Sequence, residues 1–225
     1  MFNYCPPKEI PDLKSVTLPN GKRSYTLPDG SSVPSVTTVL GAMKKEAIMA
    51  WRAKVGEEVA NAISKKATSR GTNVHSMCEE YLNNEKLGVY MPDAYEMFLS
   101  IKPYLNKINN IHYQEQALWS TQLGMAGRVD CIAEYEGELS VIDFKTSKRV
   151  KSHEDIEDYF FQCAAYALMF EERTGLTVDQ LVVIMAVENE KPLLFVEKTE
   201  DYIYGLVKAI RFYENENKKV NQKTL

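Results

Sequence analysis

The sequence predicts an α/β fold in which a central mixed β-sheet is flanked by helices. Three observations predict it. Helix-like segments fill the first half of the chain, three consecutive strand-like segments follow at its middle, and a helix that is apolar nearly all round precedes two further strands. With 225 residues and 44% hydrophobic side chains, the chain can bury one good core and carry an appended helical region.

The elements follow in order. Residues 15–27 read as a small hairpin turning at Asn20-Gly21, and Asp29-Gly30 marks the next turn. Ser35 can cap a short helix. Residues 45–66, 71–82 and 94–108 read as longer helices, the second opening on a Gly71-Thr72 step. The strand-like segments start with Ala117-Leu118-Trp119, after Gln116, and continue through 124–133 and 139–145. Glu136-Gly137-Glu138 supplies a tight turn between the second and third, because glycine tolerates positive φ. Residues 156–173 form a helix stopped by Gly175. A buried strand over 181–187 has its partner at 193–196, and a helix over 201–216 precedes a polar tail expected to fray. The expected division is an N-terminal hairpin extension, 1–32, one domain, 33–216, and the tail, 217–225. Within the domain, 33–110 is helical and 111–216 is the αβ core.

Chemistry concentrates at the middle strands. Asp143-Phe144-Lys145-Thr146 ends an apolar run, and Asp130 closes the step Gly127-Arg128-Val129-Asp130. Two carboxylates and a lysine at that spacing suit metal-assisted phosphodiester cleavage: the carboxylates fix divalent cations, and the lysine stabilises charge on the attacked phosphate or orients the water. If the strands pair around the turn, Asp130 and Asp143 lie opposite each other. Strand alternation puts Asp143 and Lys145 on one side and turns Phe144 into the core, leaving its carbonyl as a further oxygen ligand. A charge after Val141-Ile142 is costly unless paired or metal-bound. A structural Asp143–Lys145 ion pair is the competing account.

The neighbours add weight that the short D-x-K pattern lacks. His75 and Glu79 stand one helical turn apart; imidazole is a ligand for Mn²⁺ and is acceptable beside carboxylates for Mg²⁺. Glu79 equally reads as an exposed helix charge. Arg70 can hold a phosphate or an acidic neighbour. Gln162 and Tyr166, four apart, share a helix face, either as satisfied core polar groups or as contacts to a phosphate or to Lys145.

Taken together, Arg70-Gly71-Thr72-x-x-His75, Gly127-Arg128-Val129-Asp130, Asp143-Phe144-Lys145-Thr146-Ser147 and Gln162-x-x-x-Tyr166 resemble the PD-(D/E)XK nuclease superfamily in its RecB-type exonuclease branch. Within that branch the likeness is to the mitochondrial genome maintenance exonucleases and their phage and bacterial relatives. Pro34-Ser35-Val36-Thr37-Thr38-Val39-Leu40, Trp51 and Gly56 support it, and it covers about residues 33 to 198. The resemblance implies a restriction-endonuclease-like core. It also implies that His75, Asp130, Asp143 and the Phe144 carbonyl bind Mg²⁺ or Mn²⁺, that Glu115 aids them, that Lys145 is the catalytic lysine, and that Gln162 and Tyr166 form the accessory motif. No proline precedes Asp130, a departure common in the branch. The four-cysteine iron–sulfur cluster of some relatives is not expected, because Cys5, Cys78, Cys131 and Cys163 are dispersed.

The formal net charge of −4 argues at first against nucleic acid. Distribution reverses that reading: Lys44, Lys45, Arg52, Lys54, Lys65, Lys66 and Arg70 precede His75, while Lys145, Lys148, Arg149 and Lys151 follow the apolar strand. They are ordinary solvated faces or a DNA track; their place on both sides of the expected metal favours the track, with Arg70, Thr146, Lys148 and Arg149 as DNA contacts. Trp51 is either a stacking platform or core.

The expected function is a Mg²⁺- or Mn²⁺-dependent DNA exonuclease preferring single strands or free ends. The alternatives are a structure-specific or restriction-like endonuclease and a non-catalytic DNA-end binding recombination partner. No apolar run approaches membrane-spanning length, and the first residues lack a signal-peptide pattern. The expected setting is the cytoplasm of a bacterial or phage-infected cell, where scattered cysteines stay reduced.

Overall fold

A computed structural model of the chain describes residues 1–5, 8–19 and 21–222. Three short strands come first, β1 (Lys14–Thr17), β2 (Arg23–Thr26) and β3 (Ser32–Pro34), in an antiparallel sheet ordered β1-β2-β3. The expected hairpin thus gains a third strand across the Asp29-Gly30 turn, where Gly30 has φ 83°. Asn20 of the expected first turn lies outside the described residues.

Ser35 caps α1 (Val36–Gly41), its hydroxyl accepting the Thr38 amide at 3.0 Å. A 3-10 turn leads to α2 (Lys45–Val55), and α3 (Glu57–Leu82) follows directly. This corrects the expected helix limits of 66 and 71. The break falls at Gly56, whose φ of 86° suits glycine, whereas Gly71 lies inside α3. Helix α4 (Pro92–Leu105) opens on Pro92, whose missing N–H costs nothing in a first turn, and ends before the expected residue 108.

The five-stranded sheet is β4 (Ile108–Ser120), β5 (Met125–Tyr135), β6 (Glu138–Ser147), β7 (Gln180–Val187) and β8 (Leu193–Lys198), in that spatial order. Strand β4 begins well before the expected start at Ala117. All neighbours are antiparallel except β6 and β7, which run parallel and are joined through α5 (Glu157–Thr174), as a parallel connection requires. Between β5 and β6 the turn pairs Tyr135 with Glu138, with positive φ at Glu136 (54°) and Gly137 (93°), the backbone of a tight hairpin turn. Gly175, at φ 79°, stops α5 as expected.

Helices cover both faces of the sheet. Helices α1, α5 and α6 (Thr199–Gln222) pack on one through Val39, Phe160, Phe170 and Leu206; α3 and α4 pack on the other through Val74, Phe98 and Ile101. Strand alternation decides the assignment, with Val141 facing the first layer and Ile142 and Phe144 the second. The small N-terminal sheet packs Tyr25 and Leu27 against Ala117 and Trp119. Helix α6 runs past the expected limit of 216, so 217–222 are helical rather than a frayed tail; 223–225 lie outside the described residues. Lys218 and Lys219 there are good helix formers. Among the described residues, no helix is long and apolar enough to cross a membrane.

Candidate active site

The site lies where β5 parts from β6. Their ladder runs to Cys131 opposite Ile142, and the same register sets Asp130 opposite Asp143. There the Asp130 side chain takes over, its Oδ2 accepting the Phe144 amide at 2.9 Å. On the other side of β5, the pairs Gln114–Cys131 and Gln116–Val129 bracket Glu115 opposite Asp130. Glu115 has φ 46°, uncommon for a residue with a side chain, and its carbonyl accepts a hydrogen bond from Arg128 Nη1.

From the opposite layer, α3 brings His75, whose Nδ1 lies 3.6 Å from Asp130 Oδ2 and whose ring stands edge-on to Phe144. One ligand atom from each of His75, Glu115 and Asp130 lies within 4.8 Å of the others. The donor set, one imidazole and two carboxylates, suits Mn²⁺ or Mg²⁺. The crowding shows in Glu115: burial and the Asp130 charge push its carboxyl up to about 7, against an opposing pull from His75.

Asp143 is not part of that cluster. It is 2% exposed and faces Lys145, whose Nζ donates to Asp143 Oδ1 at 2.7 Å. Oδ2 is 2.6 Å from the same nitrogen but off the direction of a hydrogen bond, and has no other partner. Burial raises the Asp143 carboxyl to about 6, with Lys145 opposing and Asp130 adding to the rise. Burial pulls the Lys145 ammonium the other way, but Asp143 and Asp130 outweigh it and hold it charged. The ion pair expected as the competing account is therefore present, beside the carboxylate cluster rather than in place of it.

Helix α5 covers this pair. Gln162 Oε1 reaches Lys145 Nζ at 3.4 Å, and Tyr166 is buried one helical turn further along the same face. Tyr166 fills the space over Gly127: a Cβ at Gly127 would lie 2.6 Å from its hydroxyl.

The remaining expected residues are scattered. Lys148 and Arg149 are exposed, Thr146 is half-buried, and Trp51 is half-buried on α2, a helix with no buried residue. Arg70 is 8% exposed and pairs with Glu188 at 2.9 Å, the acidic-neighbour alternative, with its Nε unpartnered. Glu79 is half-buried and close enough to Glu115 to raise its carboxyl further. Sequence reasoning missed Glu188, which no local pattern joins to Arg70. It also missed Tyr159, whose ring lies 5.0 Å from Lys145 Nζ; its place three residues before Gln162 on one helix face was the available signal.

The chain is 27% identical over 214 residues to mitochondrial genome maintenance exonuclease 1 of Xenopus tropicalis, covering 84% of this chain and 61% of that protein. With the Homo sapiens protein of the same name it is 26% identical over 209 residues, covering 84% and 60%. The chain thus spans less than two thirds of the length of these relatives. A crystal structure of a candidate exonuclease from Eubacterium rectale aligns with a TM-score of 0.45 and 14% identity, over 67% of this chain and 68% of that one. Residues 86–211, more than half of the chain and the stretch that holds Glu115, Asp130, Asp143, Lys145, Gln162 and Tyr166, match the PD-(D/E)XK nuclease superfamily, and the chain belongs to that superfamily.

Proposed function

We propose that this chain is a Mg²⁺- or Mn²⁺-dependent deoxyribonuclease that works from free ends, prefers single-stranded DNA, and serves DNA replication, recombination or repair. The observation that carries the reading is the His75–Glu115–Asp130 cluster joined, through the Asp130 bond to the Phe144 amide, to the strand that presents Asp143 and Lys145. In this reading His75, Asp130, Asp143 and the Phe144 carbonyl hold the ion, with Glu115 as an added carboxylate. When bound, the ion supplies positive charge against the phosphate and acidifies the attacking water. Lys145, oriented by Asp143 and Gln162, stabilises charge that develops on the phosphate oxygens. Gln162 and Tyr166 position the strand, while Thr146, Lys148 and Arg149 meet its backbone. Arg70, engaged by Glu188, fixes α3 and so His75.

The single-strand preference is supported by the arm formed by α2 and the first half of α3. It exposes Ile48, Met49, Val59 and Ile63 among Lys45, Lys54, Lys65 and Lys66, with Trp51 half-buried, a mixture that suits bases and phosphates together. The nuclease unit in this reading is 33–216. Free thiols at Cys5, Cys78, Cys131 and Cys163 suit a reducing compartment such as bacterial or phage-infected cytoplasm.

The test is degradation of end-labelled single- and double-stranded DNA with Mg²⁺, Mn²⁺ or EDTA, beside Lys145→Ala and a circular single strand. Metal-dependent loss of linear DNA that Lys145→Ala abolishes, with circles spared, is the expected result. Cutting of circles would assign an endonuclease, and binding without metal-dependent loss a DNA-end binder.

A further inference from the structure

We propose that Tyr159 is the positioning residue for Lys145, its ring face anchoring the lysine ammonium beside Asp143 and Gln162; the inference rests on the nuclease reading above. A lysine ammonium has three protons to place. Asp143 Oδ1 takes one at 2.7 Å, and Gln162 Oε1 stands at 3.4 Å, the long limit of a hydrogen bond. The third partner is the Tyr159 ring, with its centroid 5.0 Å from Nζ, inside the range in which an aromatic face attracts a cation. Asp143 Oδ2 lies 2.6 Å from the same nitrogen, so the carboxylate fixes the ammonium's position while the ring and Gln162 fix its direction. Without the ring, the ammonium keeps its place at the carboxylate but loses one of its three anchors, and its direction toward a phosphate loosens.

The ring is itself held in place. Lys44 Nζ, paired with the neighbouring Asp158 at 2.7 Å, lies 5.7 Å from its centroid, so the segment that opens the helical arm borders the residue that steadies the lysine. Tyr159 stands three residues before Gln162 on α5, and the two side chains reach the same nitrogen from one helix face.

A plain packing role predicts dependence on size; the proposal predicts dependence on the ring's electrons. The experiment measures Mn²⁺-dependent degradation of labelled single-stranded DNA by wild type, Tyr159→Phe, Tyr159→Leu, and chains with mono-, di- and trifluorinated phenylalanine at 159, which keep ring volume nearly constant while weakening its attraction for a cation. Tyr159→Phe is expected to keep kcat within about twofold, and Tyr159→Leu to lower it about tenfold with KM changed less than about twofold. Log kcat should fall stepwise with each fluorine. A flat fluorine series, or a loss confined to KM, overturns the proposal, and the fluorinated chains decide it even if Tyr159→Leu does not fold. An active wild type with inactive Lys145→Ala and a flat series removes only the role of Tyr159. A wild type as inert as Lys145→Ala overturns both this inference and the nuclease reading.

Discussion

The Asp130 carboxylate accepts the backbone amide of Phe144 at 2.9 Å, so a side chain replaces the backbone ladder where β5 leaves β6. That one bond joins the strand carrying Asp143 and Lys145 to the cluster of His75, Glu115 and Asp130. Asp130→Ala removes both the acceptor and a carboxylate of the cluster. It is expected to abolish DNA degradation and to destabilise the fold by about 1–3 kcal/mol, the cost of an unsatisfied buried amide. Denaturant unfolding of the variant checks the second part, and unchanged stability would show the bond to be dispensable.

Asp143→Asn keeps volume and an acceptor for Lys145 but removes charge. Activity is expected to fall at least about a thousandfold, while melting temperature drops by only a few degrees, roughly the effect of weakening a charge-assisted hydrogen bond. Turnover near the wild-type level in a DNA degradation assay would remove Asp143 from the chemistry.

Glu115 ties metal affinity to pH. Burial and the Asp130 charge push its carboxyl up to about 7, above the ordinary glutamate range. A bound cation displaces that proton, so Mn²⁺ affinity should rise as pH goes from 6 to 8, by up to about tenfold per unit below the pKa. The sign for stability is opposite: with the folded value raised, ion-free stability is greatest below the unfolded glutamate pKa and is lost as pH rises through 7. Calorimetric Mn²⁺ titrations at several pH values check the affinity. Glu115→Gln should flatten the profile, and an unchanged slope in that variant would contradict the assignment.

Gly127 and Tyr166 share one space. Gly127→Ala places a methyl 2.6 Å from the Tyr166 hydroxyl and 2.8 Å from the ring. The ring must shift, at about 1–3 kcal/mol of stability, and catalysis should fall with it. Denaturant midpoints and kcat are the measurements. A variant as stable as wild type would mean that Tyr166 yields freely.

The basic residues should separate into two kinds. Arg70, 8% exposed and paired with Glu188, is expected on truncation to alanine to lose stability by about 1–3 kcal/mol while DNA affinity keeps its salt dependence. Lys148→Ala with Arg149→Ala, both exposed, should leave stability alone and reduce the salt slope of DNA binding by about 1–2. Fluorescence anisotropy across a salt series distinguishes them.

The sequence by itself determined what depends on local periodicity. The alternation through Val141, Ile142, Asp143, Phe144 and Lys145 fixed which residues share a side, the Glu136-Gly137 turn paired β5 with β6, and the apolar run before Gly175 marked α5. The tertiary structure alone decided what crosses between layers. His75 arrives from the helix on one face of the sheet, Tyr159 and Gln162 from the helix on the other, and Arg70 meets a glutamate 118 positions away. Even the helix break fell at Gly56 rather than before Gly71, because two glycines read alike until the backbone shows which needs positive φ. Spacing along a strand or helix is set by the geometry of a few bonds. Contact between elements is set by which apolar faces bury each other, and no short stretch of sequence contains both faces.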